Sequence, residues 1–106
     1  MSEQLVKKRP QRAPTHPGAL LREDVLPEMG ISISEFARRI GVSRQMVHRI
    51  LAETHGITPE MAWRIGQLVG NGPGIWLRMQ QAYDLWDVLN RKKAELLKIK
   101  AHRAAL

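Results

Sequence analysis

Residues 32–51, SISEFARRIGVSRQMVHRIL, decide the fold of this chain. Ser32 and Glu35 have the spacing of a capping box, in which the serine side chain accepts from a free first-turn amide and the glutamate reaches back to the serine amide. Gly41 is the residue type that tolerates the left-handed conformation at a helix end. Three apolar residues between them share one helical stripe: Phe36, Ala37 and Ile40. The pattern predicts a helix that starts at Ser32 and turns at Gly41.

A second helix is predicted directly after this turn. Val42 can fill the core between the two helices, and Ser43 can cap the second one. Its inward face consists of three apolar residues: Val47, Ile50 and Leu51. Its outward face consists of four polar residues: Arg44, Gln45, His48 and Arg49. Two short helices joined by a glycine turn form the helix-turn-helix pattern.

The start of the second helix carries side chains suited to DNA bases. Arginine matches guanine O6 and N7, and glutamine matches adenine N6 and N7, because each offers two hydrogen bonds in the major groove. Arg44 and Gln45 lie in the first turn, where a recognition helix contacts bases. An exposed polar helix face is often only a solvated surface, but the helix-turn-helix context favours DNA binding here.

Length and composition set limits on the function. A chain of 106 residues with 43% hydrophobic and 5% aromatic content predicts one small domain without room for a deep catalytic cleft. It contains no cysteine, and no apolar run approaches the roughly 18 residues of a membrane span. The four histidines are dispersed, and no phosphate-binding loop is found. We therefore expect no enzyme, metal or cofactor, no membrane association, and a cytoplasmic location.

The net charge of +7 resides at the two ends of the chain. Residues 1–17 carry four positive and one negative side chain, residues 90–106 carry six and one, and residues 18–89 carry seven and eight. Basic tails raise affinity for phosphates without adding sequence information, although they can also be solubilising ends. We divide the chain into a basic, disordered leader (1–15), a domain (16–86) and a basic helical extension or tail (87–106).

Three further helices complete an all-α prediction. The first begins at His16 and Pro17 and is limited by Pro27 and Gly30. The fourth opens with Thr58 as cap. The fifth opens at Pro73, and basic periodic sequence follows it as a helical extension.

The flanking segments narrow the interpretation to one family. HPGALLREDVLPEMG from His16 and GITPEMAWRIGQLVGNGPGIWLRMQQAYDL from Gly56 resemble the HigA-type antitoxins of bacterial toxin–antitoxin modules, which have a Cro and phage-repressor-like fold. The resemblance covers about residues 16–86. It implies a homodimeric antitoxin that neutralises a RelE/HigB-like mRNA-cleaving toxin and represses its own operon. The alternative is a stand-alone regulator of the same fold without a toxin.

The resemblance also assigns residues to double-stranded operator DNA. Ser43 corresponds to a phosphate-contacting residue at the head of the recognition helix. The base-reading positions are Arg44, Gln45, His48 and Arg49, and we add Arg38 from the outer side of the preceding helix. The leader is longer than is usual in the family, and a basic arm can follow the DNA backbone or engage the toxin.

Two protein interfaces are predicted as well. Large apolar residues of the fifth helix lie on more than one face, so they either fill the monomer core or, as we expect from the family, form a dimer interface. The interface residues are Trp76, Met79, Tyr83 and Trp86. For the toxin we prefer an acidic surface on the first helix, together with the leader, because it is suited to a basic partner: Glu23, Asp24 and Glu28. The alternative toxin-binding surface is the C-terminal segment after Trp86.

Overall fold

The computed structural model describes residues 12–102, which form five helices and no strand. Helix α1 has three contiguous segments, α-helical Pro17–Leu20, π-helical Leu21–Val25 and α-helical Leu26–Met29. The remaining helices are α2 (Ile33–Ile40), α3 (Arg44–Leu51), α4 (Pro59–Val69) and α5 (Gly74–Leu96). The predicted all-α, five-helix architecture is confirmed.

Each of the first four helices begins at a side chain that accepts a hydrogen bond from a first-turn amide. These caps are His16, Ser32, Ser43 and Thr58, with distances of 2.9, 3.0, 3.0 and 3.2 Å. Only half of the predicted capping box forms, because the Glu35 carboxylate binds Arg38 and Arg39 instead of the Ser32 amide.

The prediction that Pro27 limits α1 is wrong. A proline inside a regular α-helix removes one hydrogen bond and places its ring against the carbonyl one turn earlier. Here a π-helical turn comes directly before it, and the Leu26 amide donates to the Leu21 carbonyl. This wider turn accommodates the proline, so the helix continues to Met29 and ends at Gly30, which has a φ of 68°.

The core lies between the five helices: α2 packs against α3 and α4, α1 packs against α3 and α5, and α4 packs against α5. The fully buried side chains include Leu21, Phe36, Val47, Ile50, Ile65 and Trp76. Helix α1 approaches α3 closely because Gly18 has no side chain, and a Cβ there would overlap the Ile50 carbonyl.

Polar side chains fix the helix ends to their neighbours. Arg64 of α4 donates through Nη1 to the Ile40 carbonyl at 2.8 Å, and Arg22 of α1 donates through Nη1 to the Leu51 carbonyl at 2.6 Å. The buried Gln80 of α5 accepts from the Ile57 amide at 2.7 Å. These bonds hold the ends of α2 and α3 and the loop that follows α3.

Helix α5 extends beyond the predicted domain boundary at Trp86. It continues to Leu96 with a kink at Lys92, where the backbone departs from helical geometry (φ −125°, ψ 24°). The predicted leader falls largely on residues 1–11, and the end of the predicted tail on residues 103–106, which lie outside the described residues.

Candidate functional site

The outward face of α3 carries the residues predicted to read DNA. Val47 and Ile50 anchor the helix in the core. The side chains opposite them are exposed: Arg44, Gln45, His48 and Arg49. Within residues 12–102 these four side chains form no hydrogen bond or ion pair, so their donors are available to a ligand.

Ser43 is both a helix cap and a possible phosphate donor. Its Oγ accepts from the Met46 amide at 3.0 Å, which fixes the start of α3. The hydroxyl proton remains available, because a serine hydroxyl donates one hydrogen bond while it accepts others. The free amides of a helix N-terminus and this hydroxyl together suit a phosphate beside the first turn of α3.

Arg38 is exposed but is not a free cation. Its guanidinium binds Glu35, and Arg39 binds the same carboxylate at 2.7 Å. Hydrogen bonds from Arg38, and then from Arg39, hold the pKa of Glu35 below its usual value. One negative charge therefore offsets two positive charges beside the reading face.

The structure corrects one residue of the predicted dimer interface. Trp76 is 0% exposed, and its Nε1 donates to Asn71 Oδ1 at 3.0 Å, so it belongs to the monomer core. Met79, Tyr83 and Trp86 are only half buried. Trp76 lies on the buried side of α5, as Gln80 does, and therefore packs in the monomer core.

The predicted interface left out two exposed apolar residues of α5. Leu85 is 73% exposed and Leu89 is 36% exposed. Together with Ala82 and Trp86 they have the i, i+3, i+4, i+7 spacing of one helix face. This spacing was the signal that could have identified the stripe.

The three predicted toxin-binding residues lie on the surface of α1. Glu23, Asp24 and Glu28 are all exposed. Arg22 binds Glu23 at 2.9 Å and Glu53, beyond the end of α3, at 3.2 Å. Arg22 therefore connects the acidic surface of α1 to Glu53 in the loop after the recognition helix.

A polar cleft beside this loop was not predicted. It has a volume of about 340 Å³ and lies between the start of α1, residues 53–58 and α5. His16, Tyr83 and Asp84 form part of its wall. The ring of His16 is 3% exposed and meets the Tyr83 ring edge-on, with centroids 4.8 Å apart.

No group of three or more His, Cys, Asp or Glu side chains within residues 12–102 is arranged to hold a metal ion. None of the helices in the described part of the chain is both long enough and apolar enough to cross a membrane.

Comparison with known proteins identifies the family. The helix-turn-helix family profile matches residues 21–74. Antitoxin HigA-1 of Vibrio cholerae is 34% identical over 85 residues, which cover 80% of this chain and 80% of that protein. The chain belongs to the HigA family of helix-turn-helix antitoxins.

Two further proteins are similar to this chain, one in fold and sequence and one in sequence. The structure of antitoxin GraA in complex with its operator has a TM-score of 0.80 and 33% identity, and covers 92% of this chain and 98% of that one. Virulence-associated protein I of Dichelobacter nodosus is 41% identical over 70 residues, which cover 66% of this chain and 65% of that protein. The match therefore spans just under two thirds of that relative's length.

His16 is expected to make the stability of this HigA-family chain depend on pH. Burial lowers the pKa of the ring below its ordinary value of 6.5, and Arg22 lowers it further, whereas Glu53 and Asp84 raise it. The unfolded chain thus takes up a proton at a pH where the folded chain keeps the neutral ring. The free energy of unfolding should fall as the pH drops from about 7.5 to about 5.5.

Urea unfolding across this pH range tests whether His16 causes the pH dependence of stability. The variant His16→Asn keeps a side-chain acceptor for the Gly18 amide but cannot titrate. The fall in unfolding free energy with acidification should be smaller in the variant than in the original chain. Equal pH slopes in the two proteins would mean that His16 does not carry this dependence.

Proposed function

We propose that this chain is the antitoxin of a type II toxin–antitoxin module and that it acts in the cytoplasm. It represses its own operon by sequence-specific DNA binding and neutralises a RelE/HigB-like toxin that cleaves mRNA. The observation that carries the proposal is the exposed polar face of α3, whose cationic and amide donors are free within residues 12–102. The operator complex of GraA supports the DNA-binding part.

Base readout is assigned to the first turn of α3. In the major groove Arg44 can bind a guanine and Gln45 an adenine, each through two hydrogen bonds. His48 and Arg49 lie one turn further along and extend the contact surface, while Ser43 and Arg38 contact phosphates. To reach a phosphate, Arg38 has to share or leave its bond to Glu35.

The variant Arg44→Ala, Gln45→Ala should lose specific operator binding. Each lost bidentate contact is expected to cost about 1–3 kcal/mol, and base preference should relax mainly at the contacted pairs. Electrophoretic mobility shift assays on operator and scrambled DNA measure both effects. The control Gln67→Ala, Arg78→Ala removes the same residue types from exposed positions on α4 and α5 and should bind like the original chain.

The same variant separates the two activities. Because toxin binding is assigned to other surfaces, Arg44→Ala, Gln45→Ala should still rescue the growth of cells that express the toxin. Unchanged operator affinity in this variant would reject the recognition-helix assignment. An original chain that binds its operator but neither binds nor neutralises the neighbouring small gene product would be a stand-alone regulator.

We infer a homodimer that forms through α5. Of the predicted interface residues, Trp86 belongs to the stripe that contains Leu85 and Leu89, and the half-buried Met79 and Tyr83 lie near it on the same helix. An exposed apolar stripe on a long helix is suited to a second copy of the same helix around a two-fold axis. Two recognition helices can then contact half-sites about 34 Å apart.

Leu85→Glu should convert the dimer to a monomer. Leu85 is 73% exposed in the single chain, so a charge there leaves the monomer core intact but would be desolvated in the interface. Sedimentation equilibrium at micromolar concentration should give a dimer for the original chain and a monomer for the variant. The control Gln67→Glu places the same charge at an exposed position of α4 and should remain dimeric; a monomeric original chain would refute the interface.

Toxin recognition is assigned to the acidic surface of α1. Glu23, Asp24 and Glu28 are exposed and lie on a different helix from the reading face. Carboxylates facing a basic, RNA-cleaving partner favour fast association and select against acidic competitors. The placement leaves α3 free while toxin is bound.

A further inference from the structure

The cleft between α1 and α5 has no part in the DNA contacts proposed above. Its volume of about 340 Å³ is small for a ligand pocket. Pockets for small molecules commonly occupy about 300–1,000 Å³, so this cleft has room for one large side chain and the main chain beside it. Six residues form most of its polar wall: His16, Glu53, His55, Gln80, Tyr83 and Asp84.

His16 contributes a hydrogen-bond donor to this wall. Its Nδ1 accepts from the Gly18 amide at 2.9 Å, so the proton of the neutral ring is on Nε2. Within residues 12–102 Nε2 has no hydrogen-bond partner, and His16 lines the cleft. Although most of the residue is buried, no buried side-chain nitrogen or oxygen atom in the described chain lacks a partner, so Nε2 is open to the cleft and can donate to an acceptor that enters it.

The cleft wall also carries negative charge. Asp84 accepts from the neutral amide of Gln80 at 3.0 Å and pairs with no cation within the described chain. Glu53 pairs with Arg22 at 3.2 Å. Glu53 also has a φ of 64°, a conformation that is unfavourable for a residue with a side chain and is often retained at functional sites.

The occupant that matches this wall has a cationic head and an adjacent hydrogen-bond acceptor. A lysine or arginine side chain supplies the cation, and the main-chain carbonyl next to it supplies the acceptor. The ring of Tyr83 adds an aromatic surface beside Asp84.

The cleft is also continuous with the acidic surface of α1. Arg22 contacts Glu23 on that surface and Glu53 on the cleft wall, at 2.9 and 3.2 Å. A partner that covers Glu23, Asp24 and Glu28 therefore reaches the cleft without crossing the reading face of α3.

We propose that the cleft receives one lysine or arginine side chain of the toxin, with the cation beside Asp84 and a toxin carbonyl accepting from His16 Nε2. The inference rests on the antitoxin function proposed above and assigns the anchor point of that interaction. It adds a specific pocket to a surface that was otherwise defined only by charge.

Calorimetric titration of the full chain with the small protein encoded beside its gene tests this anchor. Asp84→Asn removes the charge but keeps an oxygen that can accept from Gln80. The matched control is Asp87→Asn, which removes the same charge one turn along α5, where Asp87 pairs with Arg91 at 3.0 Å. We expect the Kd of Asp84→Asn to rise about tenfold or more and that of the control to change less than about twofold.

His16→Asn provides an independent variant, because it keeps the cap of α1 and removes the Nε2 donor. It should raise the Kd several-fold, and circular dichroism should show a folded protein. A complex that is equally tight in the original chain and in Asp84→Asn would overturn the cleft assignment and leave the antitoxin function standing. Equal weakening by Asp84→Asn and Asp87→Asn would also overturn it, whereas no binding by the original chain would reject the antitoxin function itself.

Discussion

The unpaired carbonyl groups at the C-terminal ends of α2 and α3 are the constraint on which the rest of the structure depends. Both helices have only 8 residues, and isolated helices shorter than about 12–15 residues are marginal in water. Arg64 from α4 donates to the Ile40 carbonyl, and Arg22 from α1 donates to the Leu51 carbonyl. The flanking helices therefore hold the helix pair in place, and with it the orientation of the reading face.

Local signals in the sequence predicted much of this arrangement. Ser32, Ser43 and Thr58 cap their helices and Gly41 has a φ of 76°, because caps and left-handed turns depend on the residue type at one position. The buried and exposed faces of α3 followed from helical periodicity, which is also a local signal because it depends only on the residues of that helix. These predictions required no knowledge of which helix packs against which.

Two of the failures concern contacts between distant residues, and the failure at Pro27 concerns the local geometry of α1. Trp76 was assigned to a dimer interface because a sequence does not reveal which apolar face of α5 the other helices cover. Pro27 was expected to limit α1 because a π-helical turn has no clear local signature. The cleft brings together His16, Glu53 and Asp84, which lie far apart in the sequence, so only the packing of α1 against α5 creates it.

The fold presents three kinds of surface. α3 presents exposed cationic and amide groups, α1 presents carboxylates that continue into the cleft, and α5 presents an apolar stripe and also the cleft wall with Tyr83 and Asp84. The reading face of α3 lies apart from the other two surfaces, so DNA can be contacted without desolvating the groups proposed to contact a basic protein or a second copy of the chain.

Selection of bound sequences from a random DNA library tests the central claim most directly. The account predicts enrichment of an inverted repeat whose two half-sites are separated by about one helical turn, roughly 34 Å, with guanine and adenine among the most constrained bases. Binding without enrichment of any sequence, or enrichment of a single unrepeated site, would contradict a dimer that reads DNA through the first turn of α3.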